Sequence, residues 1–583
     1  MKLLKTIGAV PPETALPILT ILLNAFFGGY NDFIGCVGTA LLSAAALICA
    51  IRRRRFVFDK NLGTVGMLCY SAGYLLTCAF AVDRGLAFLG FIRSLSLPLM
   101  LFICMQTEQK ERDRILRSVP WIGLAQMAFC VPAYFIAPLR DYFYSFGRFH
   151  GGFGYSNTFA LFLLCGIMIL LTDREEKSVL RRLLPAAALL AGILLSGSRT
   201  VFLLFIPAAI FLIVRQKKLR LPLIVGAGAI VAAAAVYGLV SGNHRNIARF
   251  LELSLANSTL TDRLLYYYDA LRIIPRHLFG LGYRGYQFLV QGVQSGYYSV
   301  TYVHCEYLQL ILDIGVIPAL LFFCGLFRNF FTPLPLRNKL LLGVIALHIA
   351  VDFDLQFMSV LLLLPLLARY GDEPAREKKA QKKPGRASSD RVKPTRFPAA
   401  AVVLCSAAFG LSAWLSAAAG AEALNHYKLA VKLYPGMTLS RIVLMRDSED
   451  NADMLKHAEY LIRHNGRIPV AYDAAARADM ARGDYDAAIE KKNKAIENAP
   501  LVISEYEDKF NVLYQAIWYA DGIGDTDAVA RYCNEMIALP DELMIAQARL
   551  SPLGKKIKDQ PDLTLSDKAA EYIETLRRSM QKR

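Results

Sequence analysis

Eleven cysteines are scattered over 583 residues without one C-x-x-C pair, and no group of His and Cys has zinc-site spacing. A disulfide framework and a structural zinc site are therefore excluded. Nine of the cysteines (Cys36, Cys49, Cys69, Cys78, Cys104, Cys130, Cys165, Cys324 and Cys405) lie in or beside apolar segments and read as small buried apolar residues. Cys305 adjoins His304, but helix neighbours point ~100° apart, a poor geometry for a thiolate–imidazole pair. A cleavable leader is also lacking. Met1-Lys2-Leu3-Leu4-Lys5 runs into an apolar span without a small-residue cleavage pattern, and further spans follow, so that first span is expected to act as the insertion signal.

What is present is apolar surface. Hydrophobic residues make up 55% of the chain and the mean hydropathy is +0.36, more than one or two soluble cores could hide. The expected fold class is all-α: a polytopic transmembrane helical bundle followed by an α-helical repeat domain. The hydrophobic runs predict thirteen spans, near 12–28, 33–51, 62–82, 86–105, 119–137, 155–171, 183–197, 199–214, 221–241, 305–327, 339–353, 355–369 and 398–419. Several approach the ~20 residues that a helix needs to cross the hydrocarbon core.

The net charge of +18 is distributed in alternate loops. With thirteen spans, Arg52–Arg55 with Lys60, Lys110/Arg112/Arg114/Arg117, Arg174/Lys177/Arg181/Arg182, Arg215/Lys217/Lys218/Arg220 and Arg328/Arg337/Lys339 fall on one side. The positive-inside rule makes that side the cytoplasm. The basic linker at 371–397 falls there too, where it meets anionic lipid headgroups or sets topology. This pattern argues for membrane lipids as partners and against nucleic acid.

Residues 242–303 are the one long polar interruption, carrying Arg245, Arg249, Arg263, Arg272, Arg276 and Arg284, and the chain returns to apolar sequence at His304-Cys305-Glu306-Tyr307-Leu308-Gln309. Ionisable groups at a membrane boundary are costly, so a cluster of them marks a functional site. Arginines at 148, 199 and in this loop stand on the translocated side against the topological trend, and an anionic substrate supplies a reason, because the guanidinium fork matches phosphate oxygens.

Gly152-Phe153-Gly154-Tyr155-Ser156-Asn157-Thr158-Phe159-Ala160, Leu195-Ser196-Gly197-Ser198-Arg199-Thr200, Thr261-Asp262-Arg263 with Gly280-Leu281-Gly282-Tyr283, and the His304 motif with Gly315 follow one another in that order. Together they resemble the O-antigen ligase and O-antigen polymerase superfamily of bacterial membrane glycosyltransferases over roughly residues 60 to 370. The resemblance implies an inverting, metal-independent, cofactor-free transfer of glycan from an undecaprenyl-diphosphate donor to a hydroxyl of a glycan, lipid or protein acceptor, on the outer face of the cytoplasmic membrane. It implies that Arg199 and Arg263 bind the diphosphate and that His304 deprotonates or orients the acceptor. The residue chemistry agrees: two guanidiniums stabilise charge building on a departing diphosphate, and a histidine titrates near neutrality. Arg148, Arg93, Arg284 and Asp352 are further substrate-binding candidates. Asp352-Phe353-Asp354 has the spelling of a D-x-D pair, but at the external end of a hairpin of spans it suits ordering of the arginines or contact with acceptor hydroxyls better than a metal.

Plainer readings stand beside these. Arg199 also fits an interface anchor, Arg263 a solvated loop charge, His304 a helix cap, and the glycines near Arg148 simple turn formation. Arg93 interrupts a span and calls for a carboxylate that the sequence does not identify. His348 reads as a satisfied intramembrane polar residue.

Beyond 398–419 the composition shifts to an Ala-, Asp- and Lys-rich helical pattern. Residues 469–502 match a tetratricopeptide repeat at Tyr472, Ala476, Gly483, Tyr485, Ala488, Ala495 and Pro500, with a loose echo at Gly524-Asp525-Thr526-Asp527-Ala528-Val529. Segment 420–583 is thus expected to be an extracytoplasmic array offering a concave surface to a protein partner. The competing classes are a non-catalytic transporter of lipid-linked glycans and a membrane-anchored assembly scaffold. Thirteen spans exceed what an anchor requires.

Overall fold

The computed structural model describes residues 10–52, 56–173, 175–176, 178–215, 220, 228, 258–370 and 398–581. The expected span 221–241 apart from residue 228, the loop start at 242–257 with Arg245 and Arg249, and the linker at 371–397 lie outside the described residues.

The chain is all-α, with one two-residue hairpin among the described residues. Its helices are α1 (Pro12–Phe26), α2 (Asp32–Arg52), α3 (Leu62–Thr77), α4 (Arg84–Gln106), α5 (Gln109–Ala133), α6 (Ala137–Phe143), α7 (Ser156–Thr172), α8 (Val179–Ser196) and α9 (Arg199–Arg215). Then come α10 (Ser258–Ile273), α11 (Gly285–Val293), α12 (Glu306–Ile314), α13 (Val316–Arg328), α14 (Leu336–His348), α15 (Met358–Leu367) and α16 (Pro398–Ala423). Five of these (α2, α4, α5, α8 and residues 399–423 of α16) are long and apolar enough to cross a membrane, and shorter apolar helices accompany them.

Local chemistry sets the helix ends. Asn61 and Asp83 accept the Thr64 and Leu86 amides at the starts of α3 and α4, and Gly197, at φ +61°, closes α8. Arg112, at the start of α5, donates to the Cys104 and Thr107 carbonyls and caps α4. The centre of the bundle is α7, buried from Ser156 to Leu171 against α5, α8, α9 and α14. Truncating a fully buried leucine there, such as Leu163, costs ~2–5 kcal/mol.

One set of basic residues, Arg52, Arg117 and Arg337 among them, collects at one end of the bundle. Arg52 pairs with Glu13 at 3.1 Å, Arg337 with Asp113 at 2.5 Å and Arg117 with Asp173 at 3.5 Å.

One expected span is broken. Residues 305–327 form two helices, α12 and α13, separated by Gly315 at φ +87°. The segment 278–282 threads against the break: the Leu281 and Gly282 amides donate to the Leu312 and Asp313 carbonyls, and the Val316 amide donates to the Leu278 carbonyl. A break within an apolar span is tolerated when protein groups take up the freed backbone polar atoms, as they do here. Gly280, at φ +91°, lies so close that a Cβ there would stand 2.7 Å from the Gly315 nitrogen.

The chain continues through α17 (Tyr427–Leu433), α18 (Thr438–Asp447), α19 (Asn451–His464), α20 (Pro469–Ala481), α21 (Tyr485–Asn498), α22 (Ile503–Gly522), α23 (Thr526–Ala548) and α24 (Asp567–Gln581). Successive helices pack in pairs, with Gly483 and Gly524 in the left-handed region at two of the turns. This segment docks on the bundle end opposite that set of basic residues. Asp83 accepts from Thr438 at 2.7 Å and Asn465 at 3.0 Å, Tyr434 donates to the Gly85 carbonyl, and the Ser551 amide donates to the Ser295 carbonyl.

Candidate functional site

His304 sits just before α12 with φ +58°, a left-handed conformation that a non-glycine residue holds only when its surroundings impose it. The surroundings come from its own motif. Gln309 Oε1 accepts the Val303 amide at 2.9 Å, and Gln309 Nε2 donates to Asp313, which also accepts from the Tyr74 hydroxyl. Tyr267 donates to the His304 carbonyl at 2.7 Å. Glu306, fully buried, accepts the Leu355 amide at 3.2 Å and Gln356 Nε2 at 2.8 Å, so α12 is bolted to the turn that carries Asp352.

Asp352 is the hub. Its carboxylate accepts from the Tyr155 hydroxyl at 2.8 Å and Asn157 Nδ2 at 2.8 Å, stands 3.4 Å from Arg263 Nη2, and faces His304 Nδ1 at 3.4 Å. Burial works against its charge, but the His304 hydrogen bond and the Arg263 guanidinium hold it well below the usual carboxylate range. Its side chain is 1% exposed and turned to these neighbours. His304 retains 22% side-chain exposure, and its Nε2 makes no hydrogen bond among the described residues. With Nδ1 turned to the carboxylate, that nitrogen is the one open to a ligand.

Arg263, on α10, gives Nη2 to Asp352; its Nε and Nη1 make no hydrogen bond among the described residues, which leaves two nitrogens with three N–H groups for an anion. Burial opposes the Arg263 charge, yet Asp352 and Tyr155 more than restore it. Arg148 bridges the hub to the elbow before α9: Nε donates to the Ser196 carbonyl at 2.8 Å and Nη2 to Asn157 Oδ1 at 2.6 Å. Arg199 is the first residue of α9, three residues beyond Ser196, and half-buried. The next carboxylate is used differently: Asp354 is fully buried against His348 at 2.6 Å and accepts from Thr158 at 2.6 Å. His348 Nδ1 is thereby occupied inside the bundle, while its buried Nε2 has no hydrogen-bond partner among the described residues.

Arg93 and Arg284 do not join this hub. They form a second cluster around Asp32, the first residue of α2. Arg93 Nη1 lies 2.8 Å and Arg284 Nη1 3.2 Å from the Asp32 carboxylate, which also accepts the Tyr283 hydroxyl at 2.9 Å. Both guanidiniums lie 5.2 Å from the Tyr283 ring, one on Arg93 and one on Arg284, and Tyr283 packs on Gly90, where a Cβ would clash. The missing carboxylate of Arg93 is thus Asp32. An aromatic wall separates the clusters: Tyr302 stacks on Phe353 at 4.8 Å, Phe353 meets Tyr155 at 4.7 Å, and His304 packs edge-on to Phe353 at 5.0 Å.

The motif residues Tyr155, Asn157, Glu306 and Gln309 were visible in the sequence without assigned roles. Asp32 and Tyr302 carried no signal, because their partners are distant in the chain.

Residues 184–323 match the protein family described as O-Antigen ligase. Neither the curated proteins nor the solved structures contain a match to the chain. The matched segment includes Arg199, Arg263, Arg284 and His304; Asp32, Arg93, Arg148, Tyr155 and Asp352 lie outside it, and the fold brings them to its side. The family match over residues 184–323 and the apolar helices together support a bacterial membrane protein with a segment similar to O-antigen ligases, and they fit glycan assembly in general.

Proposed function

We propose that the chain transfers or polymerises glycan from an undecaprenyl-diphosphate-linked donor to an acceptor hydroxyl at the outer face of the cytoplasmic membrane, by an inverting, metal-independent reaction. The observation that carries this reading is the convergence of His304, Asp352, Tyr155 and Arg263 on one boundary site. His304 Nε2 takes the proton of the acceptor hydroxyl as its oxygen attacks the anomeric carbon. Asp352, facing Nδ1, holds the tautomer that leaves Nε2 unprotonated and then stabilises the imidazolium. The anomeric C–O bond breaks, and its electron pair leaves on the diphosphate oxygen. Arg263, with Nε and Nη1 unspent, and Arg199 receive that charge, a term stronger in the transition state than in the ground state. The helical segment 420–583 is read as a tetratricopeptide-like array on the same outer side, placed to recruit a partner or acceptor.

His304→Ala tests the reading. Transfer in the purified full chain is expected to fall about 10²- to 10⁴-fold while binding of the lipid-diphosphate glycan changes little. Wild-type protein that binds this donor and releases no free lipid diphosphate with any acceptor would make it a carrier instead.

A further inference from the structure

A cavity of about 480 Å³ opens at the end of the bundle that carries the C-terminal helices, between the α1–α2 turn, the 152–154 turn, Arg284, and the elbow from α16 to α18. Its size falls within the roughly 300–1,000 Å³ of small-molecule sites. Its wall is mixed. Phe27 and Tyr142, each half exposed, and Tyr30 supply ring faces, while Asn31, Glu422 and the Arg284–Asp32 pair supply polar groups.

Several of those polar groups are unspent. Asn31 uses Oδ1 to accept the Phe33 amide, and Glu422 uses Oε2 to accept the Ser440 amide and hydroxyl. Asn31 Nδ2, Glu422 Oε1 and the hydroxyls of Tyr30 and Tyr142 make no hydrogen bond among the described residues. Flat apolar faces next to paired donors and acceptors match a pyranose ring, which offers C–H groups on its faces and hydroxyls at its edge. The cavity also borders the reaction site. Tyr30 meets Phe357 at 5.1 Å, Phe357 stacks on Tyr155 at 6.1 Å, and Gly154 in the cavity wall directly precedes Tyr155.

We propose that this cavity binds saccharide, holding sugar units of a glycan substrate across the aromatic wall from His304. The proposal rests on the glycan-transfer reading for its biological purpose, but saccharide binding itself does not require that reading to hold.

The experiment titrates the full-length protein in lipid nanodiscs, by calorimetry, with the lipid-free oligosaccharide released from the surface glycan of the producing bacterium. Wild type is expected to bind, and Tyr142→Ala and Glu422→Gln to bind at least fivefold more weakly. Leu439→Trp, at an exposed residue of the cavity wall, narrows the space without touching a buried group and is expected to weaken binding too. His304→Ala is expected to bind as wild type does, so that loss of transfer and loss of saccharide binding are read separately. Preloading with lipid-linked donor distinguishes the source: persistent oligosaccharide binding assigns the cavity to the acceptor glycan, and displacement assigns it to the donor glycan. No binding by wild type, or wild-type affinity in all three cavity variants, overturns the proposal whatever the transfer assay shows.

Discussion

Replacing Asp352 by asparagine separates a positioned dyad from a merely buried carboxylate. The native side chain accepts from Tyr155, Asn157 and the Phe353 amide while facing Arg263 and His304. An amide has one oxygen. If its nitrogen takes the Oδ1 position it meets the Tyr155 hydroxyl, the Phe353 amide and His304 Nδ1; at the Oδ2 position it meets Asn157 and Arg263. Either way buried donors face one another, at a cost of about 1–3 kcal/mol in stability. The charge that selects the His304 tautomer is also lost. Transfer is therefore expected to drop about 10²- to 10⁴-fold, or ~2.7–5.4 kcal/mol of barrier at ~1.36 kcal/mol per decade. The pH dependence follows from the sign of the shift. The folded carboxyl lies below its unfolded value of ~3.9, so its contribution is present above that value and disappears as pH falls through the folded one. The stability gap between wild type and variant is expected to narrow as pH falls below about 4. The assay is release of free lipid diphosphate by protein in nanodiscs, alongside thermal unfolding of both forms. Wild-type turnover in a folded Asp352→Asn protein would refute the dyad.

Arg263→Lys and Arg199→Lys are expected to lower donor affinity and turnover at least tenfold despite the retained charge, because an ammonium cannot reproduce the guanidinium fork; full activity of both in a donor-release assay would make them interface anchors. Gly280→Ala places a Cβ 2.7 Å from the Gly315 nitrogen at a φ of +91°, so a loss of stability of ~1–3 kcal/mol is expected, read as a lowered midpoint in thermal unfolding. Cysteines introduced at Phe146 and Glu490 in a background freed of reactive native thiols are expected to react together with an impermeant reagent added outside intact cells; opposite accessibility would place the hairpin and the C-terminal helices on different sides.

The helices were legible in the sequence because their signal, the apolar run, is local; the caps that the structure shows at Asn61, Asp83 and Gly197 are local too but were not read there. The same locality hid the break at Gly315. The run 305–327 reads as one span despite Glu306, Gln309 and Asp313, and hydrogen bonds from 278–282, in a separate loop, take up the backbone groups freed by the interruption. The site divides in the same way. His304, Arg199 and Arg263 stood out because an ionisable side chain beside apolar sequence is costly wherever it sits. Which carboxylate answers which arginine was decided by tertiary structure alone. Asp352 faces Arg263 across 89 residues of chain, and Asp32 gathers Arg93 and Arg284 from positions 61 and 252 residues away. The sequence states the cost of each buried charge; packing in space chooses the partner that meets it, since Coulomb attraction and hydrogen bonding act over a few ångströms and take no account of distance along the chain.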